Sequence, residues 1–394
     1  MFKDEIVLCA PVRTPIGAFG GSLKEVAATE LGATAIRESV RRAGLAPRKV
    51  DAVIMGNVIQ AGSGMNPARQ ASIDGGIPVA SPAVTVNRVC GSGAQAIASA
   101  AQEIALDISN VVIAGGMENM DRAPYLLPAA RWGQRMGAAQ VIDSMLRDGL
   151  DDAFSGQHSG WHTEDLVSKY GIGREAQDRW AERSQRRFSD ARDAGHFANE
   201  LVTVDVPGKK GVSPFDTDEQ PRPDTNLETL ARLKPAFRKD GTITAGNAPG
   251  LNSGASAMIV TRRATAESLD VVASARLVAF AVSAVEPGLF GIAPAPAVTK
   301  VLERAGWKLG DVERFEINEA FAAVPLAVIA ELGIPEDIVN VDGGAIAHGH
   351  AIGATGAVLT TRLIHSMRRD GVRRGIVTLC IGGGQGIALA LESV

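Results

Sequence analysis

Residues 83–116 read AVTVNRVCGSGAQAIASAAQEIALDISNVVIAGG. A strand-like run, Ala83–Asn87, enters a turn at Val89-Cys90-Gly91. An Ala-rich helical stretch leaves it, and the apolar run Val111–Ala114 closes the segment on Gly115-Gly116. Strand, helix and strand at this spacing make a βαβ-type unit. The order recurs near the other end of the chain. A strand near Val53 precedes the first unit, and one near Phe315 leads to Asn340, a Gly-Ala stretch, a small-residue helix and the strand Gly375–Ile381, ending in Gly382-Gly383-Gly384. Val53 and Val111 lie 58 positions apart, Phe315 and Val377 62 apart. Two halves of matching order predict a duplicated core.

Further strands are expected at Glu5–Ala10, Ala52–Met55, Leu277–Val282 and Phe315–Ile317, several of them apolar at consecutive positions, as strands buried on both faces are. Helices are expected over Ala297–Ala305, stopped by Gly306, and over Ala176–Ala194, stopped by Gly195. Strands alternating with helices imply an α/β protein with sheets covered by helices. Between the halves, Asn119–Asn247 is richer in charge and in proline, and Val212–Thr225 reads as irregular loop. At about 130 residues this is too long for a bare connection and reads as an insertion over one face, serving as a substrate-binding lid. The expected division is 1–118, 119–247 and 248–394, with a strand of the first unit returning near 248–270.

The chain has 394 residues, with 40 Lys and Arg against 44 Asp and Glu. A mildly acidic balance argues against broad nucleic-acid binding. No apolar run reaches the ~18 residues of a membrane span, and the N-terminus turns strand-like at once, without a cleavable signal. Three cysteines, Cys9, Cys90 and Cys380, make no disulfide framework, so a reducing cytoplasm is the expected compartment. Glycine is 44 of the 394 residues and clusters. Such clusters suit tight turns in an α/β protein or a site built from glycine loops.

Cys90 stands at a strand-to-helix turn, where the positive end of the helix dipole favours thiolate and Gly91 and Gly93 keep the turn sharp. The geometry is that of a nucleophile elbow; a buried structural thiol is the other reading. Cys380 precedes a glycine loop whose N–H groups suit an oxyanion, though packing alone would also account for it. Cys9, inside an apolar strand, reads as structural. His348 and His350 sit in Gly343-Gly344-Ala345-Ile346-Ala347-His348-Gly349-His350, a glycine-rich stretch opening a helix at Ala354. Either suits a general base for a thiol; His-x-His is also a ligand spacing, but only Asp342 stands near to complete a metal set. Asn318-Glu319 offers a polar amide at a strand end, or a helix cap.

Together these motifs resemble the thiolase family, the acetyl-CoA acetyltransferases and 3-ketoacyl-CoA thiolases. The resemblance spans essentially the whole chain, through Arg13-Thr14-Pro15-Ile16-Gly17, Val89-Cys90-Gly91-Ser92-Gly93, Gly115-Gly116-Met117-Glu118, Thr244-Ala245-Gly246-Asn247, Asn318-Glu319-Ala320-Phe321, Gly349-His350 and Cys380-Ile381-Gly382-Gly383-Gly384. It implies two similar core domains, mixed sheets in a layered α/β arrangement, with an inserted loop domain that binds coenzyme A. It implies Cys90 as the nucleophile that carries the acyl group, His350 as its base and Cys380 as the acid/base at the substrate α-carbon. Asn318 would hold a water that, with His350, stabilises the enolate oxygen, and the N–H groups of Cys90 and Gly382 would form a second oxyanion hole. Arg222, Thr229, Phe237, Ala245 and Phe321 match positions that meet coenzyme A. No metal and no tightly bound cofactor is implied, only coenzyme A and acyl-CoA as substrates, and the protein is expected to be a homodimer or a homotetramer assembled through about Asp121–Asp148.

The chain also departs from the family. Ala351 follows the catalytic histidine where many relatives have Pro, and His348 replaces an aliphatic residue. Pro249 stands for a Ser, and Ser159, Trp161, His162, Phe290 and Ile292 differ from the usual residues. All are expected on the substrate side, leaving the chemistry intact and retuning the acyl group. A homologue of altered acyl-chain specificity and a catalytically silent acyl-CoA-binding subunit are the rival functions. Pro325 is expected to kink the helix after Asn318.

Overall fold

The structure, a computed structural model, describes residues 2–208 and 211–394. The first part contains β1 (Ile6–Arg13), β2 (Gly17–Ala18), α1 (Ala28–Arg42), β3 (Ala52–Gly56), α2 (Pro67–Asp74), β4 (Ala83–Val86), α3 (Ser92–Ala105) and β5 (Val111–Asn119). The middle part contains β6 (Tyr125–Leu126), β7 (Ile142–Asp143), α4 (Ser159–Tyr170), α5 (Arg174–Asp193), β8 (Val204–Gly208), β9 (Gly211–Phe215) and α6 (Leu227–Ala231). The last part contains β10 (Asn252–Arg262), α7 (Arg263–Ser268), β11 (Ala273–Ala284), α8 (Pro294–Ala305), β12 (Arg314–Ile317), α9 (Ala323–Leu332), α10 (Ala345–His348), α11 (Thr355–Asp370), β13 (Arg374–Ile381) and β14 (Gln385–Glu392).

The main strands join in the order β12-β13-β14-β11-β1-β10-β5-β3-β4. Read outward from the central antiparallel pair β1–β11, the two wings repeat: an antiparallel neighbour (β10 or β14), a second antiparallel step (to β5 or β13), then a parallel one (to β3 or β12). The duplicated core is therefore present. The repeat extends past the strands, since β3 pairs in parallel with β4, and Phe315 of β12 bridges in parallel to Val339. β10 follows the middle part in sequence but lies between β1 and β5.

Period-two alternation sorts the strands' side chains. Ile6, Leu8, Ile54, Val112 and Ala114, together with Val377, Leu379, Leu389 and Leu391, pack on α3 and α11. The opposite faces meet α1 and α2 on one wing, and α8 and α9 on the other. The pair α3–α11 is thus a central layer shared by both wings. The two helices touch backbone to backbone: a Cβ on Gly93 would lie 2.6 Å from Ala357 N, and one on Gly356 would lie 2.3 Å from Ala94 N. That approach is why both helices are built from small residues.

The middle part packs closely on the core. Leu166, Val167, Trp180 and Ala181 enter the same core as α8 and α9. Trp180 Nε1 and Ser184 Oγ donate to the Glu319 carboxylate at 2.9 and 2.7 Å. Buried Arg13 in β1 holds Glu200 at 2.7 Å and Asp218 through two N–H groups at 2.7 and 2.9 Å, a bidentate pair. The expected loop over Val212–Thr225 begins instead as the second strand of the β8–β9 ribbon. Pro207 and Pro214 are tolerated there because half the N–H groups of a two-stranded ribbon face outward and bond to nothing in the ladder. Pro325 does not kink α9. The helix starts at Ala323, so Pro325 falls in the first turn, whose N–H groups have no intrahelical acceptor. No helix among the described residues is long and apolar enough to cross a membrane.

Candidate active site

Both wings end their strands toward one cavity of about 310 Å³, lined by Cys90, His350, Gly382, Phe237, Phe290 and Phe321 among others. Cys90 stands between β4 and α3, two residues before the helix begins. The turn is sharp: Val89 is held at φ +44°. Ser92 Oγ ties it, accepting from Arg88 N at 2.9 Å and donating to Val89 O at 2.7 Å. A left-handed valine is costly and persists only where its surroundings over-determine it. A Cβ on Gly91 would meet Ile381 Cδ1 at 2.5 Å, so a larger residue would require the Ile381 side chain to move.

The expected thiolate at Cys90 is not what the surroundings favour. Burial pushes the thiol up to about 11, although the N–H groups of Gly382 and of Cys90 itself pull it down; the charge of Glu118 adds to the rise. Val58, Ile59, Met120 and Ile352 form the apolar cluster against which Cys90 packs. Desolvation there outweighs the pull of the two N–H groups. Cys90 rests as a neutral thiol with the N–H groups of Gly382 and of Cys90 itself beside it.

His350 lies on the loop before α11. Its backbone N–H donates to Asn252 Oδ1 at 2.8 Å. Its Nδ1 is 2.7 Å from Thr355 Oγ1, and that hydroxyl donates to Ala351 O at 2.8 Å. With its one proton committed, Thr355 Oγ1 accepts from Nδ1–H, which assigns the tautomer and leaves Nε2 with its lone pair. Nε2 faces Asn318 Nδ2 at 3.4 Å. Burial holds the imidazole down at about 4, so it is neutral at physiological pH. Asn318 Oδ1 is buried without a protein partner. Neither Asn318 nor Glu319 caps α9, whose N-cap is Ala322 without a side-chain bond. Glu319 instead braces the site, accepting from Trp180, Ser184, Asn340 Nδ2 and Ile346 N.

Cys380, at the end of β13, is fully buried and does not line the cavity. Burial holds it well above the ordinary thiol range, and a thiolate on neighbouring Cys90 would push it further in the same direction. The loop after it turns through Gly383 and Gly384, both at φ +82°. Cys9 sits inside the core beneath α1, pushed up to about 12 by burial.

The other expected contacts divide between two places. Phe237 and Phe321 meet edge to face, centroids 5.9 Å apart, and His158 stacks on Phe237 at 4.6 Å. Arg222 and Thr229 line a second cavity of about 270 Å³. Ala245, in the turn between Thr244 and Gly246, lines neither. Of the departures, Ser159, His162, Pro249 and Phe290 line the first cavity. His348, Trp161, Ala351 and Ile292 do not, contrary to expectation. His348 is wholly buried beside Phe188, ring centroids 6.3 Å apart, with the Arg362 guanidinium near, and neither ring nitrogen has a partner. Trp161 lies under Arg238 at 3.7 Å. The two histidines are separated by Gly349, at φ +100°, which turns the chain between them. Thr355 and Asn252, which orient His350, are absent from the sequence reading. Thr355 stands five residues after His350, a signal available to it; Asn252 carries none.

This strand-end pairing of a thiol on an elbow with an imidazole from the duplicate wing defines a family. The chain matches the thiolase N-terminal domain over residues 6–264 and the thiolase C-terminal domain over 271–393. It therefore belongs to the thiolase family. It is 50% identical over 389 residues to an acetyl-CoA acetyltransferase of Pseudomonas aeruginosa, covering 98% of this chain and 99% of that one. It is 49% identical over 388 residues to a probable acetyl-CoA acyltransferase of Staphylococcus aureus, covering 98% of each. In structure it is similar to the acetyl-CoA acetyltransferase of Bacillus anthracis, with a TM-score of 0.98 and 43% identity. It is also similar to human mitochondrial 3-ketoacyl-CoA thiolase, at 0.97 and 40%, each alignment covering 100% of both chains.

Proposed function

We propose that this thiolase exchanges two acyl-CoA molecules with 3-ketoacyl-CoA and free coenzyme A through a thioester on Cys90. The observation that carries the reading is the single cavity that Cys90, His350 and Gly382 line together. In cleavage, the Cys90 sulfur attacks the 3-keto carbon while His350 Nε2 takes its proton. The C2–C3 bond breaks and its electron pair leaves as the enolate of acetyl-CoA. Asn318, with His350, offers donors to that enolate oxygen, through a water that Oδ1 and Nδ2 would hold. Cys380 is the group assigned to return a proton to C2, a role that requires its buried thiol at the end of β13 to reach the cavity wall when substrate is bound. Coenzyme A gives its thiol proton to the Cys380 thiolate and attacks the thioester, whose oxyanion the N–H groups of Cys90 and Gly382 receive; the S–acyl bond to Cys90 then breaks and the departing sulfur regains its proton from His350. Condensation runs the same steps backward.

Residues 119–247 serve coenzyme A in this scheme, Phe237 and Phe321 against the pantetheine arm and Arg222 and Thr229 toward the nucleotide. Ser159, His162, Pro249 and Phe290 on the cavity wall favour an acyl preference of the protein's own. Incubation with acetoacetyl-CoA and coenzyme A, followed by the loss of ketoacyl absorbance over a series of chain lengths, tests both points; no thiolysis of any chain length would sink the reading. A homodimer or homotetramer accompanies it. The edge strand β4 exposes Val84, and the β6–β7 arm exposes Tyr125, Trp132 and Met136, the last two at 87% and 91%. Three large exposed apolar side chains on one arm support a contact surface there. Light scattering should give at least a dimer at micromolar concentration, and Trp132→Ser with Met136→Ser should lower any tetramer to dimer.

A further inference from the structure

Gly116-Met117-Glu118 lies just before the end of β5, and Glu118 is completely buried. Its carboxylate gathers four N–H donors. Oε1 accepts from Asn57 Nδ2 at 2.8 Å and Ile59 N at 3.2 Å; Oε2 accepts from Val58 N at 3.1 Å and Gly353 N at 2.9 Å. Three of these donors lie on the segment leaving β3. The fourth lies on the loop that carries His350, 235 residues further along the chain. An ionised carboxylate can accept all four bonds, whereas a carboxylic acid must turn its O–H against one of the donors.

The joint sits beside the reacting groups. Gly353 is three residues after His350, and between them Ile352 packs with Val58, Ile59 and Met120, the cluster against which Val89 and Cys90 rest. Gly353 is pressed so close that a Cβ would stand 2.7 Å from Glu118 Oε2. We infer that Glu118 is a positioning residue for acyl transfer: its ionised carboxylate clamps the His350 loop to the wing that bears Cys90, and protonation loosens the clamp. The inference rests on the acyl transfer proposed above.

The groups facing the carboxyl are the three backbone N–H groups, the Asn57 amide and one titratable neighbour, Cys90, whose thiolate it opposes. Burial pushes Glu118 up to about 7 against the pull of its four donors. The proton therefore arrives as pH falls through about 7, and turnover should fall with it. His350, held at about 4, titrates too low to produce that limb.

The test is kcat and KM for thiolysis of acetoacetyl-CoA between pH 5.5 and 9, with iodoacetamide labelling of Cys90 in parallel, on wild type, E118Q and N57S. Wild type should show an acid limb near pH 7. E118Q should lose ~10–100-fold in kcat at pH 8, the scale of a misplaced catalytic group, with little change in KM and no limb at 7. N57S keeps the carboxylate but removes one donor, so its limb should move up by about half a pH unit or more. Labelling of Cys90 should quicken in E118Q while Cys9 stays unlabelled, opposite in sign to turnover; loss of the fold would expose both cysteines. Unchanged kcat in E118Q, or a limb at the same pH in all three proteins, would overturn the clamp. Wild type without thiolysis would instead remove the proposed function, and the labelling comparison, which needs no turnover, would still decide whether this carboxylate acts on Cys90.

Discussion

His350 and His348 are two positions apart and chemically identical, yet their surroundings give them opposite prospects. His350 has an oriented ring, a free lone pair at Nε2 and a place on the cavity wall. His348 faces Phe188 and Arg362 in the core. His350→Ala should cut thiolysis by ~10²-fold or more, the scale of a lost general base. His348→Leu should change it by less than about tenfold, on the order of 1.4 kcal/mol. Steady-state rates at pH 8 separate the two, and a larger loss in His348→Leu would refute the assignment of the base. Cys90 calls for a different experiment. With its thiol at about 11 and Cys9 at about 12 and sealed in the core, Cys90 should take iodoacetamide first, at a rate that climbs with pH through the alkaline range. Acetyl-CoA should protect it, and Cys90→Ala should abolish the transient acetyl adduct seen by intact mass. A labelling rate already on a plateau at pH 7 would mean that the helix end outweighs burial after all.

The contact between α3 and α11 is where the duplication becomes a single molecule, and it depends on two hydrogen atoms. Gly356→Ala places a methyl 2.3 Å from Ala94 N, so the helices must part. Overpacking of this kind costs about 1–3 kcal/mol, and urea unfolding should show it as a lower midpoint at unchanged slope. A midpoint within error of wild type would mean that the helices slide freely. The small residues that permit this contact were legible in the sequence, as were the strands: β13 is Arg374–Ile381 against an expected Gly375–Ile381, and the matched wings follow from the matched spacings. Cys90, His350 and Gly382 each stand at a turn beside glycine, a local signal that linear reading can find. What could not be read was tertiary. Whether a thiol at a helix start is ionised depends on Val58, Ile59, Met120 and Ile352, which arrive from distant segments. Pro325 looked disruptive because the first residue of α9 was unknown, and the β8–β9 ribbon was hidden by prolines that only an unpaired outer edge tolerates. Glu118 lies in the Gly115-Gly116-Met117-Glu118 stretch, but its four donors are 59 to 61 and 235 residues away, a convergence that no periodicity encodes.

Stability should depend on pH from both sides, because the core encloses titratable groups of opposite kinds. His350 is held at about 4, His348 well below its ordinary value, and His158 and His365 are lowered too, burial being the largest cause in each. A depressed base contributes stability that is present above its unfolded value of 6.5 and lost as pH falls toward the folded one. The shift at His350 alone, from 6.5 to about 4, corresponds to roughly 3 kcal/mol. Glu118 and Glu316 have the reverse sign. Burial raises them to about 7 and about 8, so their contribution is present below 4.5 and lost as pH rises through the folded values. Between about pH 4.5 and 6.5 the four histidines and the two glutamates act in opposite directions; above 6.5 only the glutamates still act. The unfolding midpoint in urea should therefore decline from pH 6.5 toward 8. Single variants divide the two slopes. His348→Leu should flatten the acid side, because it removes a base with no hydrogen-bond partner at either nitrogen. Glu316→Gln should flatten the alkaline side, because one of its oxygens, Oε2, is also without a partner and the neutral amide never has to ionise. A midpoint that rises steadily from pH 5 to 8 in wild type would mean that the buried glutamates keep their protons off at no cost, and the electrostatic account of the core, Glu118 included, would have to be redrawn.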